Sequence, residues 1–394
     1  MRGSSPCRGA FRAAFLAVTA CSALGSGAAS AEGVTVYGVF DTGVGSLTGV
    51  KAPGAASTRT VRLVDGGMIT PFVGLRGEED LGGGLRAGFV LEAFYDSRNG
   101  ALGRPVPGGD TLFNREASVD VSGEFGTIKL GHVDAPALMP TILLNPLGGA
   151  PTLSPLFTHI FVTGLGGAGA LGETAGLLGG NTLTDSGWND AIVYGLPKVA
   201  GLDAKIYYQL GGVAGQSGKG NVGVNFLYRH GPLTLGGYYQ HDWICNPIGC
   251  LTLNVTTGAT STPTALLAGA ERTWFIGGSY DFSVAKLFAG YNSYALGAQP
   301  APAAANGFTV QLGNFGDRIK TPEAGVSVPI GSAKLSLAWA STRNGTIGKT
   351  WGTTSLVYDY SLSKRTDAYA GAMRETYTGY ASGSGIVAGL RHSF

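Results

Sequence analysis

From residue 33 onward one pattern governs the sequence. Segments of about ten residues alternate apolar and polar side chains, and each runs out at a cluster of Gly, Asn, Asp or Pro. A β-strand sends successive side chains to opposite faces, so a two-residue period marks strands, whereas a helix would need a period near 3.6. In LRAGFVLEAFYDSR, Leu85, Ala87, Phe89, Leu91, Ala93 and Tyr95 share one face, and Arg86, Gly88, Val90, Glu92, Phe94 and Asp96 share the other. The same split separates Ala204, Ile206, Tyr208 and Leu210 from Asp203, Lys205, Tyr207 and Gln209, and Leu335, Leu337 and Trp339 from Lys334, Ser336 and Ala338. Near the end, Leu356, Tyr358, Tyr360 and Leu362 oppose Ser355, Val357, Asp359 and Ser361. About sixteen such segments follow one another, starting near residues 34, 68, 84, 112, 127, 189, 202, 219, 233, 271, 285, 316, 332, 349, 364 and 385; none reads as an amphipathic helix.

The connections alternate in length. Those at 82–84, 231–232, 283–285, 331–332 and 363–364 are tight, whereas 46–66, 97–111, 134–188, 244–270 and 297–315 are long. Short turns at one rim and long loops at the other is the layout of an outer-membrane β-barrel. A soluble β-sandwich is the competing architecture, but its outer faces need charge, and only 13% of this chain is Asp, Glu, Lys or Arg, against roughly 25% in soluble domains. Sixteen strands would also divide into several sandwiches, and no linker is visible. A closed barrel satisfies every wall N–H and C=O without water. The fold expected is therefore all-β, a 16-stranded antiparallel transmembrane barrel.

Residues 1–31 read as an export signal to be cleaved: Arg2, Arg8 and Arg12 precede the apolar run 13–25, and Ala29-Ser30-Ala31 is a small-x-small cleavage pattern. The barrel domain is then 32–394. Val18-Thr19-Ala20-Cys21 also resembles a lipoprotein cleavage box. Without the signal, 24 basic residues face 25 acidic ones, a balance that offers no basic face for nucleic acid. Cys245 and Cys250 remain, separated by Asn-Pro-Ile-Gly, and a small disulfide loop is expected of them in an oxidising compartment. A zinc site adding His230 and His241 matches no standard ligand spacing.

Four stretches, VTVYGVFDTGV (34–44), GLRGEEDLGGGLRAGFVLE (74–92), LFNREASVDVSGEFGTIKLG (112–131) and the ending GLRHSF (389–394), resemble those of the general porins of Gram-negative bacteria, of the betaproteobacterial type. The resemblance is close over the first five strands and the last one. It implies a homotrimer in the outer membrane among its lipids and lipopolysaccharide, with small hydrophilic solutes and ions diffusing through each lumen. It also implies that Phe394, in phase with Leu390, Ala388 and Ile386, is the signal read by barrel-assembly machinery. No cofactor is implied.

In such porins a long third loop, here 134–188, folds into the lumen and narrows it. The family's loop usually carries acids facing a ladder of wall arginines. Here the run 135–172, which includes Pro140, has no charged residue, and only Glu173 and Asp185 stand nearby. Its prolines and glycines also rule out a membrane helix. Phe72 occupies a position where the family commonly has an inward arginine, and His132 follows a Leu-Gly pair where arginine is frequent. These departures imply a less charged eyelet with weak ion selectivity. Alternatively, Arg76, Arg86, Arg115, Arg374 and Arg391 form an ordinary basic wall. Glu78, Glu92, Lys205, Arg229 and Lys334 are further candidates for the wet lining. The strand in which Arg115, Ala117 and Val119 oppose Glu116, Ser118 and Asp120 has two partly polar faces, which points to subunit contact there.

Other readings are a substrate-specific channel with an apolar eyelet, and a barrel serving as a surface adhesin through its long loops. A GxGxxG at 164–169 lacks the parallel βαβ unit that would make it a dinucleotide site. His132, His159, His230, His241 and His392 have no catalytic partner in sequence, so no enzyme is expected.

Overall fold

The computed structural model describes residues 33–51, 53–54, 59–101, 112–162, 186–210, 220–244, 252–253, 260–261, 269–296, 318–346 and 348–394. Every wall pairing is antiparallel, and the strands close on themselves. We number them β1 (Thr35–Thr48), β2 (Arg59–Asp65 and Phe72–Gly82), β3 (Leu85–Phe94), β4 (Glu116–Gly123), β5 (Gly126–Asp134), β6 (Gly187–Gly195), β7 (Leu202–Gln209) and β8 (Asn221–His230). The second half comprises β9 (Leu233–Ile244), β10 (Gly269–Asp281), β11 (Lys286–Leu296), β12 (Arg318–Ile330), β13 (Ala333–Asn344), β14 (Lys349–Ser361), β15 (Thr366–Tyr377) and β16 (Gly383–Ser393). The sheet has 17 segments, and the two halves of β2 run in one direction along the same edge of β1, so the wall has sixteen strands. A two-residue ladder, 252–253 with 260–261, lies outside it.

Closure is made by β1 against β16, from Val39 opposite Ser393 to Thr48 opposite Ser384. Beyond the ladder, Phe394 N–H donates to the Gly38 carbonyl (3.1 Å) and Gly38 N–H to the Phe394 carbonyl (3.3 Å), so the terminal residue is zipped into the wall. The two-residue turns between β8 and β9 and between β12 and β13 place Gly231 and Gly331 at φ +55° and +59°. Side chains other than glycine rarely adopt that conformation.

The two faces separate as the alternation requires. Val44, Ile128, Leu130, Ile206, Ile276, Leu337, Leu356 and Ile386 are all exposed large apolar residues, as a lipid-facing surface needs. The opposite phase points into the lumen. Its core is the contact between inner wall and the chain that follows β5. There, α1 (Leu138–Leu143), α2 (Pro155–Phe157) and a π-turn (Thr158–Val162) lie inside the barrel.

Three expectations need correction. The loop placed at 46–66 ends early, because Arg59–Asp65 already pairs with β1. The strand expected from 112 begins at Glu116. Helix does occur after β5, in short turns only. Pro140 sits in the first turn of α1, where its missing N–H costs nothing.

Candidate functional site: the lumen and its inward segment

The inner wall can be followed residue by residue through the register. Val39 faces Phe72, Phe72 faces Phe94, Gly74 faces Glu92, and Glu92 faces Glu116. The row continues through Asp120 and Lys129 to Val193, Tyr207 and Gly223. Phe72, Arg76, Glu78, Arg86, Glu92, Lys205, Arg229, Lys334 and Arg391 all lie in this inward phase. Arg115 precedes β4, and its side chain turns inward to pair with Glu92. Its guanidinium lies 4.3 Å from the centroid of the Phe72 ring and 5.6 Å from that of Phe94. Phe72 therefore provides a flat support on which this arginine rests.

Two positions depart from the sequence reading. Arg374 faces Thr354 and Ser384, which share the outer phase of Leu356 and Ile386, so it lies on the outside of the barrel and does not line the lumen. The polar face around Arg115 is likewise the inner one: Glu116 bonds Lys129 at 2.6 Å, and Ser118 donates to Glu116 at 2.7 Å. What faces outward is Ala117, Val119 and Val121, so polarity is no argument for subunit contact at this strand. Pro140 is buried within α1. Glu173, Asp185, Cys245, Cys250 and residues 1–31 fall outside the described residues.

Several cations of the wall are matched to acids, whereas Arg76, Lys205 and Arg229 have no acid at contact distance among the described residues. Besides Arg115 with Glu92 and Lys129 with Glu116, Arg391 contacts Asp367 at 2.8 Å and Asp359 at 3.4 Å, Lys334 approaches Asp359 at 4.0 Å, and Arg86 bonds Glu78 at 2.9 Å. Arg76 sits over the Tyr37 ring, 4.9 Å from its centroid.

The segment after β5 is held against the opposite side of the lumen. Leu138, Leu144, Leu156, Phe157, Ile160 and Phe161 pack with Tyr238 and Phe275 of β9 and β10. Leu147, Ala150 and Leu153 pack with Ala338, Val357, Tyr369, Met373 and Val387. Two wall glycines make that approach possible, because a Cβ at Gly223 or at Gly325 would lie 2.5 Å from Cγ of Pro136 or of Pro146. The π-turn is latched by His159. Its Nδ1 and Nε2 lie 2.7 and 2.8 Å from the hydroxyls of Thr342 and Thr353, and its ring stacks on Trp351 with centroids 3.6 Å apart. Full burial pushes the His159 pKa down to about 3, so the ring is neutral.

A second inward feature interrupts β2. Residues 66–71 leave the ladder and fold onto the inner face of β1, where the buried Asp41 carboxylate gathers them. Asp41 Oδ2 accepts from the N–H groups of Met68 (2.7 Å) and Ile69 (2.8 Å), and Oδ1 accepts from the Tyr369 hydroxyl (2.6 Å). Met68 then joins the cluster of Leu147 and Leu153. Sequence reasoning missed this arrangement. Its traces were a Gly66-Gly67 pair and Pro71 inside an otherwise continuous alternation, and an acid at 41 on the inner face of the first strand.

Comparison with known proteins agrees with this architecture. Residues 17–380 match the Gram-negative porin family. The chain belongs to that family. An outer membrane porin protein of Bordetella pertussis is 26% identical over 409 aligned residues, covering 94% of this chain and 96% of the relative. Outer membrane porin protein 32 of Delftia acidovorans is 28% identical over 399, with the same coverage of 94% and 96%. Among solved structures, the anion-selective porin from Comamonas acidovorans superposes with a TM-score of 0.67 at 22% identity, covering 92% of this chain and 99% of that one. The trimer form of OmpT, an outer membrane protein of Vibrio cholerae, gives 0.55 at 13% identity over 92% and 99%. The protein is thus a multi-pass protein of the Gram-negative outer membrane, and its barrel forms a channel for passive diffusion of ions and small hydrophilic solutes.

Proposed function

We propose that this porin is a homotrimer of weakly ion-selective channels, each narrowed where the segment after β5 faces the charged wall of β2 to β7. The observation that carries the selectivity is the pairing of wall charge. Arg115, Lys129 and Arg391 each have an acid at contact distance, so the transverse field that separates anions from cations is partly cancelled locally, leaving Arg76, Lys205 and Arg229 as the inward cations without an acid at contact distance among the described residues. Residues 138–151 of the inward segment add none, since those partly exposed are Met139, Ile142, Leu143, Gly148, Gly149 and Pro151. The Comamonas relative is anion-selective; the paired charges here favour a flatter preference and easier passage for less polar solutes. No step of covalent chemistry belongs to this reading.

The trimer reading rests on where aromatic residues stand. Aromatic belts mark the lipid–water interfaces of a barrel. Outward-facing Tyr and Trp occur along β6 to β14, among them Tyr194, Tyr208, Tyr228, Tyr239, Trp274, Tyr291, Trp339 and Tyr358. On β15, β16 and β1 to β5 the described outward residues include no Trp and a Tyr only at Tyr95, just past β3, where it packs against Phe40; Ala368, Ala370, Ala372, Ala388, Ala87 and Ala117 stand there among Val, Leu and Phe. A sector poor in Tyr and Trp and rich in small side chains suits a neighbouring subunit. Family membership and the trimeric Vibrio structure point the same way.

The test is single-channel recording in a planar bilayer under a salt gradient. Steps arriving in threes with a reversal potential near zero are expected. A strong reversal potential would overturn the selectivity and leave the channel standing; solitary steps would overturn the trimer.

A further inference from the structure

Beside its ion pairs, the wall of β2 to β7 keeps charges of both signs that touch no partner. Asp134 ends β5, where the chain turns into the lumen, and has no cation at contact distance among the described residues. Arg76 of β2 and Lys205 of β7 likewise have no acid. The three are still electrostatic neighbours. Asp134 lies in the field of Lys205, together with Arg115, Glu116 and Lys129, and both Asp134 and Arg76 act on Tyr37. In strand order Asp134 therefore stands between two cations, Arg76 on one side and Lys205 on the other, in contact with neither.

The groups around them cannot close these gaps. Arg115 and Lys129 are engaged by Glu92 and Glu116, and swinging either cation to Asp134 would leave a mostly buried acid unpaired, which is costly. Asp134 and Lys205 are half-buried and Arg76 is exposed, so all three remain open to the lumen. A passing anion satisfies Lys205 and is repelled by Asp134, and for a cation the reverse holds. A solute that carries both signs satisfies the two groups together and brings no net charge. The inward segment adds Met139, Ile142 and Leu143, partly exposed, as apolar surface for the carbon chain of such a solute and as no competitor for its charges.

We propose that Asp134 and Lys205 form a transient binding site in the lumen for zwitterionic solutes, of the class of amino acids and short peptides, with Asp134 accepting from the ammonium group and Lys205 donating to the carboxylate. Contacts of this kind are charge-assisted, and in a channel they speed passage when they draw a solute in and still release it. Arg76, beyond Asp134, offers the carboxylate its next cation, so the solute moves on by exchanging one cation for another about the same acid. The site adds one polar class to the less polar solutes favoured by the apolar segment. It rests on the reading of a weakly ion-selective lumen, because a strong net field would sort solutes by net charge first.

The experiment follows osmotic swelling of proteoliposomes that carry the full-length protein, with reversal potentials recorded from the same preparations. The probes are γ-aminobutyric acid and 4-hydroxybutanamide, isomers of which the first is a zwitterion and the second is neutral. The zwitterion should enter the vesicles severalfold faster. D134N and K205Q should each bring the two rates together, and they should move the reversal potential in opposite directions, D134N toward anions and K205Q toward cations. A merely structural role would not produce that opposition. Exchanging the two charges in D134K/K205D should restore both the faster entry and the original reversal potential, and R374Q, on the outside of the barrel, should change neither. Single-channel steps show that each variant has inserted, and if D134N does not insert, K205Q puts the same question alone. Equal entry of the isomers through the unaltered protein, or a preference that survives in K205Q, would overturn the site. A strong reversal potential with the preference intact would overturn the weak selectivity and leave the site standing; a reversal potential near zero with no preference would do the opposite.

Discussion

Asp41 holds three donors with one buried carboxylate, and between them they meet two demands of the fold. Met68 and Ile69 would otherwise bury orphan N–H groups where β2 breaks, and the Tyr369 hydroxyl ties the break to β15 across the closure. Hydrogen bonds to a charged acceptor contribute about 1.5–3 kcal/mol each. Asp41→Ala should therefore lower the heat stability of the protein, seen as loss of the folded electrophoretic band after heating to a lower temperature, and alter single-channel conductance as residues 66–71 shift. Tyr369→Phe removes one bond only and should have the smaller effect on both readouts. His159 makes a second prediction, in pH. Its folded pKa of about 3 lies below the ordinary value near 6.5, so the seated ring stays neutral while a released one takes a proton. Seating is then at full strength above about pH 6.5 and weakens as pH falls toward 3, by up to ~1.4 kcal/mol per unit. Open-channel noise should rise between pH 7.5 and pH 4.5, and His159→Gln, which cannot titrate, should abolish that rise.

At the scale of elements, the inward segment and the wall are fitted to each other by absence of side chains. Gly325→Val would set a branched side chain against Pro146, whose Cγ already lies 2.5 Å from the position of a Cβ. Overpacking of this kind costs about 1–3 kcal/mol, and the segment has room to move only into the lumen. Reduced single-channel conductance with an intact barrel is the expected outcome. Val at Gly77, which faces outward on β2 beside the Phe89 ring, should leave conductance unchanged. Strand phase was legible in the sequence because alternation depends only on local order: the faces read for 203–210, 334–339 and 355–362 are those of the structure. Arg115 escaped that logic, since a residue just before a strand is not bound to its phase and can turn to Glu92. Arg374 was misplaced because charge alone had selected it, against the phase of its own strand. The break at 66–71 and the seat of His159 were hidden for a different reason. Both are completed by residues far off in sequence, Tyr369 on the Asp41 carboxylate for one and Thr342, Trp351 and Thr353 for the other.

For the whole molecule, the outer surface divides into sectors that should respond oppositely to the same substitution. On the sector with aromatic belts, a lipid-facing arginine at mid-membrane costs about 2–4 kcal/mol, and Ile276→Arg on β10 should impair insertion or heat stability without changing the oligomeric state of what does fold. On the sector poor in Tyr and Trp, Val119 of β4 and Ala370 of β15 face outward among small residues. If that surface is covered by neighbouring subunits, Val119→Arg or Ala370→Arg acts on assembly: three copies of the new charge are brought together around one axis, and dispersal into monomers relieves them. Native electrophoresis and mass measurement in detergent should then show monomers for these two variants and trimers for Ile276→Arg. Trimers from all three would move the subunit contact elsewhere on the wall. Monomeric channels from Val119→Arg should still conduct, in solitary steps, because the lumen, its paired charges and its inward segment are complete within one barrel.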